Sequence, residues 1–119
     1  MRMRTHIVIC VVLFPAYAYF FSRIHPMNAI LMMYGFFGVA LGSVFPDFVE
    51  PATTSRHRGL FHSRRALSVT GVLFILSVII GIFPSGYSDP FPAYPASCFL
   101  LGYVSHLLAD SLTRAGLPD

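Results

Sequence analysis

The chain has 119 residues, of which 55% are hydrophobic and only 11% charged. Soluble domains carry about 25% charged residues, so this is not an ordinary globular domain, nor a disordered chain, which needs low hydrophobicity and high charge. The formal charge of +3 comes from eight Arg, no Lys and five acids, too little for a nucleic-acid-binding face, which leaves an integral membrane protein.

A membrane-spanning helix needs about 20 mostly apolar residues. Four segments come close. Residues 7–22 carry no charge and are interrupted by Pro15. Behind Arg2 and Arg4 this stretch has the outline of a secretory signal. Its Pro, its several Tyr and the lack of a small-x-small cleavage site make it a span instead. Residues 27–45 are also uncharged and carry Gly35, Gly38 and Gly42. Small residues at this spacing let helix backbones approach in lipid, which puts the second span inside a bundle. Residues 46–65 form the most polar stretch and the only connection long enough to hold a site. Residues 66–83 are a Val/Ile/Leu/Phe run ending before Pro84. Residues 91–113 complete the set, with Pro92 and Pro95 at the start, where proline is tolerated. The fold class is therefore all-α: a single membrane domain over 1–119, a bundle of four transmembrane helices with one polar loop.

Four spans put the N-terminus, the 46–65 loop and the C-terminus on one side. That side carries Arg2, Arg4, Arg56, Arg58, Arg64, Arg65 and Arg114, and the other only Arg23. Positive residues in short loops stay cytoplasmic, so the chain reads as N-in and C-in. Contact with anionic lipid headgroups is a second use for the same Arg cluster. Cys10 and Cys98 lie in apolar runs and read as small buried residues, not a disulfide. Tyr17, Tyr19, Tyr87 and Tyr94 fit interfacial anchoring. His25 and Asp89 read as loop residues on the far side.

The same topology gathers the chemistry. His6 opens the first span, Asp47 closes the second, His57 and His62 lie in the long loop, and His106 and Asp110 close the fourth. All six fall at one membrane face. Gly102, His106 and Asp110 are spaced i, i+4, i+8 and share a helical face. An imidazole and a carboxylate one turn apart can hold one ion, with zinc, manganese or iron suited to that donor pair. Ionisable residues at membrane depth are costly and mark function by default. Taken singly, each of these residues has an equally simple reading as a hydrogen-bonded bundle residue.

Three stretches also carry a resemblance: Pro46-Asp47, His57-Arg58-Gly59-Leu60-Phe61-His62-Ser63, and Gly102-Tyr103-Val104-Ser105-His106 running on to Asp110 and Thr113. With His6, they resemble the LexA-regulated, inner-membrane-associated metal-dependent hydrolases. That family's pattern is an early His, a Pro-Asp-x-Asp element, an HRGxTHS element and a GYxxHxxxDxxT element. The resemblance implies a helical inner-membrane protein with a hydrolytic metal site, related in outlook to zinc-dependent phospholipases. Two positions depart from the pattern. Val49 stands where the second acid belongs, with Glu50 one residue late, and Phe61 replaces the Thr beside His62. The shifted Glu50 carboxylate, read as lying on a non-helical loop, is still expected within reach of the ion.

The expected function is a membrane-embedded metal-dependent hydrolase acting at the cytoplasmic face on a phospholipid or other lipid phosphate. Asp47, His62, His106 and Asp110 are the expected ligands of a divalent metal, zinc first. His57 and His6 are the expected catalytic imidazoles, as proton carriers or additional ligands, and Arg58 the phosphate clamp. Membrane lipids are the expected partners, with an oligomer or larger membrane complex also open. The alternative is a non-catalytic membrane subunit using the same residues as a structural metal site or polar network.

Overall fold

The computed structural model describes residues 3–51, 59–83, 93–113 and 116–119. Among them the chain forms four α-helices and no strand: α1 (Met3–Ser22), α2 (Ala29–Val49), α3 (Arg64–Ile82) and α4 (Ala93–Ser111). A short 3₁₀ turn, Leu60–His62, precedes α3. Helices of 19 to 21 residues are roughly 30 Å long at 1.5 Å per residue, the thickness of the hydrocarbon core. Lipid offers the backbone no partner, so helices that bond internally are the natural form for such segments.

Local chemistry sets the helix starts. The Asn28 side chain accepts from Leu31 N–H and opens α2. Ser63 does the same for Ala66 N–H and opens α3 at Arg64, two residues before the apolar run predicts. The larger difference is at the end of α2. The apolar pattern predicts a stop at 45, but the helix runs through Pro46 to Val49, and Glu50 N–H still bonds the Pro46 carbonyl. Proline is tolerated inside packed membrane helices because neighbouring groups re-satisfy the backbone it frees. Asp47 is therefore a helical residue with a fixed direction, not a loop residue.

Three helices, α1 from Arg4, α2 and α3, are long and apolar enough to cross a membrane. α4 has the length but less apolarity, since it carries Ser97, Ser105, His106 and Asp110, all buried. Its position explains this. α4 packs most extensively on α2 and next on α3, so its polar face meets protein and not lipid. By contrast, Val8 and Val12 on α1, Ile30, Met33 and Phe37 on α2, and Val72, Ile75 and Ile80 on α3 are exposed. So large an apolar surface needs lipid around it.

The α2–α4 seam is a backbone-to-backbone contact. A Cβ added to Gly42 would strike the Phe99 carbonyl, and one added to Gly102 would strike the Val39 carbonyl. Around it lie two apolar clusters. Phe21, Val39, Tyr94 and Cys98 centre one, and Tyr103, Leu107 and Leu117 the other. Far from the polar loop, His25 Nε2–H donates to the Gly81 carbonyl at 2.6 Å. This occupies a carbonyl at the end of α3 that no helical N–H reaches, a firmer task than a loop histidine's.

Candidate metal centre

Antiparallel helices bring the start of α1, the ends of α2 and α4, and the turn before α3 to one end of the bundle. There His6, Asp47, His62, His106 and Asp110 meet. His106 is the hub. Its Nε2 lies 3.6 Å from Asp47 Oδ1 and 3.5 Å from Asp110 Oδ2. His62 Nε2 lies 3.1 Å from Asp47 Oδ1. His6 Nε2 is 3.6 Å from Asp110 Oδ1, and its ring stacks on His106 with centroids 3.9 Å apart. The cluster is sequestered: His6 is 2% exposed, His106 1% and Asp110 3%. Only Asp47, with a side chain 37% exposed, opens toward the surface.

The tautomer of His106 follows from its neighbours. Its Nδ1 lies 2.6 Å from the Ser43 carbonyl, which can only accept, so Nδ1 carries the proton. Nε2 of the neutral ring is then a lone pair. It is buried, makes no hydrogen bond among the described residues, and faces two carboxylates that are also acceptors. Ser43 sits one turn before Pro46, whose missing N–H and ring loosen the helical ladder at that point. Both nitrogens of His6 are likewise buried without a hydrogen bond among the described residues.

His62, outside the helices, holds a proton more tightly than the ordinary imidazole value of 6.5. The Asp47 hydrogen bond is the main cause, burial opposes it, and the Glu50 hydrogen bond adds to it. The turn carrying His62 is pinned from two sides. Tyr103 O–H donates to the Phe61 carbonyl at 3.1 Å, and the Phe61 ring meets Phe45 edge-on at 6.3 Å. Phe61 thus exchanges the hydroxyl of the resembled motif for an anchor on α2.

Two sets of three offer ligand atoms within 4.8 Å of one another: His6, Asp47 and His106, and His62, His106 and Asp110. Both need His106 Nε2, and its Nδ1 is committed to Ser43, so the arrangement suits one ion and not two. Donors roughly 2.1 Å from a tetrahedral ion sit about 3.4 Å apart. Within the sets, His106 Nε2 lies 3.6 Å from Asp47 Oδ1 and 3.5 Å from Asp110 Oδ2, close to that requirement.

The expected residues Asp47, His62, His106 and Asp110 lie at one end of the bundle with His6, but they divide between the two sets, with Asp47 in one, His62 and Asp110 in the other, and His106 shared. Two expected residues, His57 and Arg58, lie outside the described residues. Glu50 is not in either set of three; its carboxylate turns to the other nitrogen of His62. Sequence reasoning missed the Ser43 carbonyl and the Tyr103 hydroxyl. The first leaves no side-chain signal, and the second was visible only as part of a motif.

The profile of the family described as YdjM inner membrane protein matches residues 1–118. The chain belongs to that family. It is 42% identical over 62 residues to the inner membrane protein YdjM of Escherichia coli strain K12, and equally so to that of Shigella flexneri. The aligned stretch covers 52% of this chain and 28% of each relative, so the curated YdjM proteins are much longer than the shared region. No solved structure matches. Membership in the YdjM family and three apolar helices place the chain in the inner membrane.

Proposed function

We propose that the chain is a membrane-embedded, metal-dependent hydrolase of lipid phosphates, working at the cytoplasmic end of the bundle. One observation carries the metal: His106 Nε2, a buried lone pair held between two carboxylates by the Nδ1–Ser43 bond. Acceptors converging in a low-dielectric interior repel unless a cation joins them. His106 would hold it either with Asp47 and His6 or with His62 and Asp110, the two sets whose ligand atoms lie within 4.8 Å of one another. A divalent ion there, zinc first, supplies an acidified water and polarises a phosphoryl oxygen. The half-open side chain of Asp47 marks where water and substrate enter, as a catalytic site requires and a closed structural site does not.

The remaining roles follow from residue chemistry and from the motif resemblance. His57 is assigned the leaving-group proton, since the other site imidazoles are engaged in the cluster. Arg58 has the planar fork that grips phosphate. The site's depth at one end of the bundle makes a lipid headgroup the nearest phosphate. The Arg-rich face, read as cytoplasmic, gives the orientation.

The test is direct. Purified protein should carry zinc, manganese or iron in stoichiometric amount and release phosphate or phosphoalcohol from phospholipid vesicles, and a chelator should stop it. His106→Ala should lose metal and turnover together. A wild type with metal but no turnover on any lipid phosphate supports the subunit reading, and one with no metal ends the hydrolase and leaves the subunit with a polar network.

A further inference from the structure

Glu50 is an acid in contact with His62 that the ligand sets leave out. It follows the last residue of α2, and its side chain folds back over the loop. Oε2 lies 3.4 Å from His62 Nδ1 and accepts the Phe61 N–H at 3.1 Å. Gly59 backs directly onto the same carboxylate, and a Cβ there would strike Glu50 Oε1. Gly59 has φ −84°, open to any residue, so the glycine supplies room and not a special backbone shape. The His62 ring is therefore bracketed, with Glu50 on Nδ1 and Asp47 on Nε2. Position 49 could not do this. Val49 is exposed, and the roughly 100° turn per helical residue carries the next side chain round toward the loop.

Building on the metal reading above, we infer that Glu50 is the positioning carboxylate of the centre. Once an ion displaces the Nε2–Asp47 hydrogen bond, Glu50 accepts Nδ1–H of His62 and leaves the Nε2 lone pair for the ion, and it ties the turn to α2 through Phe61 N–H. A carboxylate on the far nitrogen of a ligating imidazole fixes the ring and raises its basicity, and its loss weakens metal binding about 10–100-fold.

The experiment uses the full chain in detergent with zinc, and compares wild type, Glu50→Ala, Glu50→Gln and Gly59→Ala. Zinc affinity is read by chelator competition, the ligand field by cobalt absorption, and the His62 tautomer by ring ¹⁵N chemical shifts. Glu50→Ala should bind zinc about 10–100-fold more weakly, with an altered cobalt spectrum and mixed His62 tautomers. Glu50→Gln, whose amide oxygen can accept the same two N–H groups, should recover most of the affinity. Gly59→Ala leaves Glu50 intact but displaces it, so affinity should fall in the same direction. It also carries the comparison should Glu50→Ala not fold. Unchanged affinity and an unchanged His62 spectrum in both Ala variants overturn the positioning role alone. Complete loss of zinc in Glu50→Ala, without recovery in Glu50→Gln, makes Glu50 a ligand and overturns it too. A wild type that binds no zinc overturns the metal reading beneath it.

Discussion

One imidazole organises the site. His106 donates its Nδ1–H to the Ser43 carbonyl and is left with a single inward lone pair, so both candidate ligand sets among the described residues pass through it. His106→Ala should therefore weaken zinc by more than the roughly 100-fold upper range seen when only a ligand's supporting group is removed. Asp110→Asn keeps the shape but removes a charge next to His6 and His106, and should also lose the ion, measured as metal per chain. Tyr103→Phe is milder. It removes the hydrogen bond to Phe61 and should lower stability by about 1 kcal/mol, read as a small fall in melting temperature with metal retained. The five residues that meet were legible in the sequence because alternating spans carry side chains from distant positions to one face. Their partners were less so. A main-chain acceptor such as Ser43 has no residue-type signature. The role of Glu50 depends on where α2 ends, which the apolar pattern placed at 45 and the structure places at Val49.

The elements depend most on the seam between α2 and α4. Gly42 and Gly102 bring two backbones into contact, and this places Ser43 and Asp47 on one helix opposite His106 and Asp110 on the other. Overpacking a core costs about 1–3 kcal/mol when side chains can yield, and here the obstacle is backbone, which yields least. Gly102→Leu should exceed that range, separating the helices and abolishing metal binding. Gly71→Leu, at a position with open space, should leave melting temperature and metal content near wild type. Both variants can be compared by thermal unfolding in detergent. The glycine spacing announced the face of α2 that packs, but not an interior helix: Ile30, Met33, Phe37 and Leu41 of α2 are exposed, and α4 is the buried one. The identity of its partner was not readable, since spacing names a face and not the helix that meets it.

For the whole molecule, the Arg asymmetry predicts that both termini lie on the cytoplasmic side. A phosphatase reporter fused after Asp119 should stay inactive, and a cytoplasm-active fluorescent reporter at the same point should shine. The reverse pattern would sink the orientation and, with it, the cytoplasmic placement of the site. The uneven apolarity of the helices reaches further, to the way the chain is made. α1, α2 and α3 can each leave the translocation machinery for lipid on their own merits. α4 follows them in the chain, with His106 and Asp110 aboard, and is poorly suited to enter lipid alone. The groove between α2 and α3 receives it, so the docking of α4 assembles the four described helices into one bundle. On the metal reading proposed above, an ion can be held only after α4 has docked, because both candidate sets need His106, and α4 cut from its partners and fused to a carrier should fail to insert.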